Sequence, residues 1–431
     1  MDNFAQAGTI DSVTCPFCGL LCDDLTVQRD TAGNLKVTDK GCGKAVAFFE
    51  RPSIAPSPRI QGKSVTLAEA VACAAQILGK ANQPLFAGLG TEVFGMRAVL
   101  DLAESSQATL DHMNSNGFMR NMHVLQNSGW FTTTLTEVRN RVDLLLVIGT
   151  DISSVNSRFF EREIWNTETM FGQDTSQREI VFLGGRDLNT APAVSPDGRE
   201  PEVLPCDLER LPEVVAALRA VISGKKLHAA EVSGIAVADL EKLAQRLLAA
   251  KYAVVAWAAG PLAFPYAELT IQNITELVIA LNKTTRAAGL PLGGSDGDTS
   301  VNQVSAWISG YPMRNSYVRN HPDYDPYLYA ADRQLESGEA DALFWISTFN
   351  PERTPPVADV PTVVLGHAHM KLDKEPDVFI PVGTPGIDHK GIAFRIDSVV
   401  SLPLQQLRTT ALPTLGEVLR AIEQTLQAPV Q

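Results

Sequence analysis

No stretch of the 431-residue sequence approaches the ~20 consecutive apolar residues of a membrane span, which excludes a helical membrane anchor. Positive charge is also short: 36 Lys and Arg face 49 Asp and Glu, for a formal net charge of -13. Such a surface repels a nucleic-acid duplex or an anionic bilayer, so neither is expected as a partner. The opening "MDNFAQAGTI" lacks the basic start and apolar run of a secretory signal, which points to the cytoplasm. Cysteines number only six, and a cytoplasmic chain seldom spends them on disulfides. Fixed-period repeats and low-complexity tracts are missing too. What is present is ordinary for a globular protein: 45% hydrophobic and 20% charged residues, and enough length for two or three layers or domains.

Short apolar runs alternate with helical patterns. "PLFAGLG", "DLLLVIG", "EIVFLGG", "AVVAWAAG", "ALFWIS", "PTVVLG" and "DVFIPVG" are each continuous rather than alternating, the mark of parallel strands covered on both faces. "TLAEAVACAAQILGKA" has helical period, with Thr66 and Glu69 at capping-box spacing. Cys73 falls on its apolar side and reads as a packed thiol. The expected fold is α/β: Rossmann-like doubly wound parallel sheets behind a small N-terminal Cys-rich module. Residues 1–62 form that module and "PSIAPSPRIQG" a linker. Residues 63–130 open the first Rossmann-like domain, 131–290 form a second, inserted one, and 291–431 complete the first. The segment "GGSDGDTSVNQVSAWISGYPMRNSYVRNHPDYDPY" reads as a long polar connection lining a site or an interface. Its Tyr- and Asp-rich end suits a protein–protein rim.

Cys15, Cys18 and Cys22 are spaced C-x2-C-x3-C, and Cys42 follows after nineteen residues. Four thiolates suit a 4Fe–4S cluster or a structural zinc. Zinc ribbons use two C-x2-C knuckles, so this spacing favours the cluster, with zinc or an empty site as alternatives. Other motifs carry less. "GLGTEVFG" misses the G-x-G-x-x-G spacing and reads as a tight strand-to-helix turn. His367 and His369 stand without an evident Cys or carboxylate partner. "GTPGIDHKG", with Asp388, His389 and Lys390, has the composition of a phosphate loop.

"CPFCGLLCDD", "GCGKA", "EVRNRVDLLLVIG", "VNQVSAWISGYP" and above all "IPVGTPGIDHKGIAFRID" resemble the B subunit of formylmethanofuran dehydrogenase, within the molybdopterin oxidoreductase family. The resemblance spans nearly the whole chain. It implies a tungsto- or molybdopterin guanine dinucleotide beside a 4Fe–4S cluster, and a Lys just past the fourth cluster ligand, which Lys44 matches. The pattern departs where that cofactor would be held. The family's metal-ligating Cys-His-Gly-Pro run follows an Asp. Here Asp111 leads into "HMNSNGFMRNMHVLQ", and the ligand position falls at about Gly117. His112 and His123 read as surface or packing groups. Asp151-Ile152 replaces Asn-Pro, Gly184-Gly185 replaces an Asp-Pro turn, and Gly366-His367 replaces another.

These losses resemble instead the B subunit of the bacterial formyltransferase/hydrolase complex. That resemblance implies a structural subunit without catalytic residues, with no tungsto- or molybdopterin. Its partners would be the amidohydrolase-type (A), C and formyltransferase (D) subunits. The alternative is an active tungsten or molybdenum subunit of the dehydrogenase.

Overall fold

A strand buried on both faces needs no polar alternation, and the continuous apolar runs of this chain form such strands. The computed structural model describes residues 7–428 and divides into two units, Met1–Ser115 with Gly294–Gln431, and Asn116–Gly293.

The first unit is built on a nine-stranded sheet. Its five central strands, Thr109–Leu110, Pro84–Gly90, Ala342–Ser347, Thr362–His367 and Val378–Val382, are neighbours in that order and parallel. Nearly every residue in them is buried. Helices Leu67–Lys80, Val93–Ser106 and Leu415–Gln427 pack beside the sheet, the last against both others. Two of these begin with reciprocal capping boxes, Thr66 with Glu69 and Thr414 with Glu417. The linker reading of "PSIAPSPRIQG" holds only for its first part. Arg59–Ile60 pairs antiparallel with Val378–Phe379 at the sheet edge, because the Arg59 guanidinium lies 4.4 Å from the Phe379 ring centre and bonds Glu375 at 2.8 Å. The long polar segment, read as an ordered loop, is partly helical. It contains helix Asp298–Ser309, whose Val301 and Val304 are buried and whose ends carry Gly297 and Gly310 at positive φ.

Strands Gly8–Val13, Leu25–Arg29 and Leu35–Asp39 form an antiparallel sheet, followed by helix Gly43–Phe49. Leu25, Val27 and Phe49 are fully buried here. The segment is tied down from the far end of the sequence: Arg29 Nη1 donates to the Leu407 carbonyl (2.8 Å) and Thr14 N to Gln405 Oε1 (3.1 Å).

The second unit has five parallel strands in the order Glu202–Leu204, Glu179–Leu183, Leu144–Ile148, Ala253–Ala258 and Ala287–Leu292. It starts at Asn116 rather than at the expected 131. The reason is side-chain bonding from helix Ser115–Ser128. Arg120 Nη1 reaches the Ala259 carbonyl (2.9 Å), and the Trp257 indole donates to Asn121 Oδ1 (3.0 Å).

Candidate functional site

Cys15, Cys18 and Cys22 lie on the turn between the first two strands. Cys15 N bonds the Cys22 carbonyl (2.8 Å) and Leu21 N the Cys18 carbonyl (3.1 Å), which folds the loop back on itself. Gly19 locks it to the rest of the unit: its N–H donates to the Gly294 carbonyl (2.7 Å) and its carbonyl accepts from Ile396 N (2.8 Å). A Cβ on Gly294, at φ +75°, would stand 2.9 Å from Gly19 Cα, so this approach needs glycine. Cys42 is the N-cap of helix Gly43–Phe49, its Sγ accepting from Ala45 N at 3.4 Å. Burial pushes the Cys15 thiol well above its ordinary pKa, and Cys18, Cys22 and Cys42 add to the rise. Among the described residues, however, no group of three or more His, Cys, Asp or Glu side chains is set to hold a single metal ion.

Next to this loop is a cavity of about 180 Å³. Lys44, Arg353, Asp296 and Ser295 supply its polar wall, and Phe17 and Phe48, stacked at 4.6 Å, part of its apolar wall. Asp296 sits at φ +55° and its Oδ2 accepts from Ser295 Oγ (2.9 Å) and Arg353 Nε (3.1 Å). Arg353 Nη2 donates to Asn114 Oδ1 (2.9 Å), and Asn114 Nδ2 to Ser295 Oγ (3.0 Å). His112 is buried and committed to this network, Nε2 to the Asp296 carbonyl and Nδ1 to Asn114 N. Of the cavity's polar residues, sequence reasoning named Lys44, and Ser295 and Asp296 fall in the long polar segment read as lining a site; Arg353 had no local signal. They lie 251 to 309 positions from Lys44.

The residues that the dehydrogenase resemblance associates with a cofactor have partners within the chain. Asp111 is buried, pairs with Arg314 (3.4 Å) and accepts from Ala331 N (2.8 Å). Burial raises its pKa, opposed by Arg314. Gly117 lies in helix Ser115–Ser128, and a Cβ there would stand 3.0 Å from Gly260 Cα and 3.2 Å from Gly260 N. In the first unit, the turn "GLGTEVFG" closes on Glu92, whose carboxylate accepts from Phe94 N and Gly95 N, both at 2.7 Å. A buried carboxylate thus caps this helix N-terminus. In the second unit Asp151 does the same for the short helix Ile152–Val155, accepting from Ser153 N (3.0 Å) and Ser154 N (3.3 Å). The Gly184 and Gly185 amides bond the Leu204 and Cys206 carbonyls, and Arg186 pairs with Asp207. His367 ends a central strand and is buried, which lowers its pKa to about 3, with His369, Arg51 and Arg408 adding to the drop. Asp388 of "GTPGIDHKG" accepts from Thr384 N (2.9 Å) and pairs with Arg408 (2.7 Å), so it braces its own loop. His123 is half-buried on helix Ser115–Ser128.

No family model matches the chain. It is 25% identical over 405 residues to the B subunit of the tungsten-containing formylmethanofuran dehydrogenase 2 of Methanocaldococcus jannaschii, covering 90% of this chain and 92% of that protein. It is 28% identical over 334 residues to the Fhc B subunit of the formyltransferase/hydrolase complex of Methylorubrum extorquens, covering 76% and 85%. The chain is a homologue of these B subunits. Its structure matches a chain of the Methylorubrum extorquens FhcABCD crystal structure, determined with methylofuran, at a TM-score of 0.72 and 25% identity, over 86% of this chain and 98% of that one. Acetylene hydratase from Pelobacter acetylenicus shares the fold, with a TM-score of 0.65 at 10% identity over 97% of this chain and 69% of that one. The two kinds of B subunit differ in what their names say of metal, tungsten appearing only in the dehydrogenase. The packing at Gly117, Glu92 and Asp151 therefore bears on which of them this chain resembles in its work.

Proposed function

We propose that the chain is a non-catalytic structural subunit of a formyltransferase/hydrolase complex. The complex would move a formyl group from formyl-tetrahydromethanopterin, through a methanofuran-like carrier, to formate. Its companions would be the amidohydrolase-type, C and formyltransferase subunits, in the cytoplasm. The observation that carries this reading is Gly117. The ligand position implied by the resemblance falls at about Gly117, which has no side chain, and a Cβ there would press on the Gly260 backbone at 3.0 Å.

Support comes from both helix N-termini that face the ends of parallel strands. We read both sheets as Rossmann-like, and in such sheets the pyrophosphate sits on the amides of the first helix. Here Glu92 and Asp151 bond those amides, and a second anion would meet a carboxylate. The residues present do not fit a metallopterin.

The four cysteines suit a 4Fe–4S cluster in donor chemistry. Cys15, Cys18, Cys22 and Cys42 would hold it, supplying four thiolates that a cationic cluster core relieves of mutual repulsion. With no metallopterin to exchange electrons with, its task would be to hold the N-terminal segment on the Gly294 and Ile396 backbone. Zinc is the other occupant. Lys44 would face the cluster from the cavity side.

Metal analysis of the purified complex tests the reading. The expected result is iron and acid-labile sulfide near about four per chain, with neither tungsten nor molybdenum. Stoichiometric tungsten or molybdenum in this chain overturns the reading in favour of the redox subunit. Zinc at about one per chain keeps the structural role and replaces the cluster.

A further inference from the structure

The first unit carries a concentrated exposed apolar surface. Trp307, Ile308, Tyr311, Val318, Tyr327 and Leu328 are all exposed, Trp307 at 57% and Tyr327 at 71%. They fall within 22 consecutive residues on adjoining elements. Trp307, Ile308 and Tyr311 close helix Asp298–Ser309. Tyr311 stacks on Tyr324 with ring centres 5.6 Å apart and planes within 6°. Tyr324 lies on the outermost strand of the nine-stranded sheet, Asp323–Tyr324, and Tyr327 and Leu328 follow on a turn whose amides bond Asp325 Oδ1. A sheet edge bordered by large exposed aromatics is a surface that proteins usually cover.

Acidic groups outnumber free cations at the border of this surface: Arg333, 5.7 Å over the Tyr327 ring, is already paired with Glu339 at 2.6 Å. Gln107, at the end of helix Val93–Ser106, bonds Asn320 beside Val318, at 2.5 Å. Asp101 and Glu104 on that helix are exposed and close enough to act on Tyr317, whose hydroxyl they and burial push up to about 12. Asp325 borders the other side. Arg319 is already paired with Asp323 at 3.2 Å. Aromatic rings inside a charged rim are the composition of a protein-binding surface.

We propose that this surface docks another subunit of the same complex, one presenting an apolar centre ringed by basic side chains. The inference rests on the reading of the chain as a subunit of that complex. A second copy of the chain fits poorly, since a two-fold pairing would set acidic rim against acidic rim and bring together two chains of net charge -13. A basic-rimmed partner gains from the same charges.

The test uses the co-expressed, purified complex, with the assembled fraction read by mass photometry and the fold by thermal unfolding. Tyr327→Ala and Ile308→Arg change exposed side chains and should leave the unfolding temperature of the isolated chain in place. Both are expected to weaken assembly by about tenfold or more. Met170→Arg, at a 75% exposed position of the second unit, should leave assembly intact. Asp101→Lys with Glu104→Lys should also weaken assembly, most at low salt. Normal assembly of the Tyr327 and Ile308 variants overturns the proposal. So does a wild-type chain that self-associates through this surface, with the same variants breaking the homodimer. A wild-type chain that joins none of the other subunits overturns the complex reading itself, which no variant is needed to see.

Discussion

Restoring the missing ligand by Gly117→Cys probes the decisive position directly. A Cβ there meets Gly260 Cα at 3.0 Å and Gly260 N at 3.2 Å, and both are backbone atoms that have no rotamer to turn away. Overpacking of this kind costs about 1–3 kcal/mol. Replacing glycine inside a helix returns about 0.5 kcal/mol through lower backbone entropy loss. The net expectation is a loss of about 1–2 kcal/mol, or a fall of about 2–8 °C in the unfolding temperature of a unit of this size. Differential scanning calorimetry reads the shift, and Gly79→Ala serves as the control. That site lies in helix Leu67–Lys80, where the added Cβ meets only Leu426 Cδ2, at 3.2 Å, the end of a flexible side chain. The control should be neutral or stabilising by up to about 1 kcal/mol. A Gly117→Cys chain that unfolds at or above the wild-type temperature refutes the argument that the ligand position is closed.

The pH dependence should carry the signature of His367. Its folded pKa, about 3, lies below that of an unfolded histidine, so its contribution is whole above about pH 6.5 and is lost as pH falls toward 3. The slope should approach ~1.4 kcal/mol per pH unit for this one group, and His367→Phe should flatten it in urea titrations run from pH 7 to 4. Cys15→Ser or Cys22→Ser should empty the metal site, dropping iron from about four per chain to near zero by elemental analysis; unchanged iron would exclude these thiols as ligands. Thr414→Ala removes one half of a capping box and should cost about 1 kcal/mol in chemical denaturation, with Thr66→Ala giving a similar loss.

The strands and their burial were legible because a doubly covered strand leaves a local trace, an unbroken apolar run such as "DLLLVIG" or "ALFWIS". Ala287–Leu292 escaped notice because "AAGLPL" contains a glycine and a proline, residues that normally interrupt strands. Helix Asp298–Ser309 was hidden by its polar composition; its buried face mixes Val301 and Val304 with Thr299, Ser300, Asn302 and Ser305. The cysteines and Lys44 could be picked out by spacing and resemblance. Arg353, Asp296 and Ser295 could not, since their meeting depends on where the chain returns after the inserted unit.

By itself the sequence determined the α/β character of the chain, the Thr66 capping box, its cysteine set and the absence of a thiol near position 117, because each of these is written in neighbouring residues. Whether the places without cofactor residues were open or filled was decided only by tertiary structure. Glu92 and Asp151 read as ordinary acids until folding sets them on helix amides. Gly117 reads as a gap until Gly260, 143 positions later, is brought against it. A site is closed by atoms that meet through space, and those meetings have no local pattern in the chain.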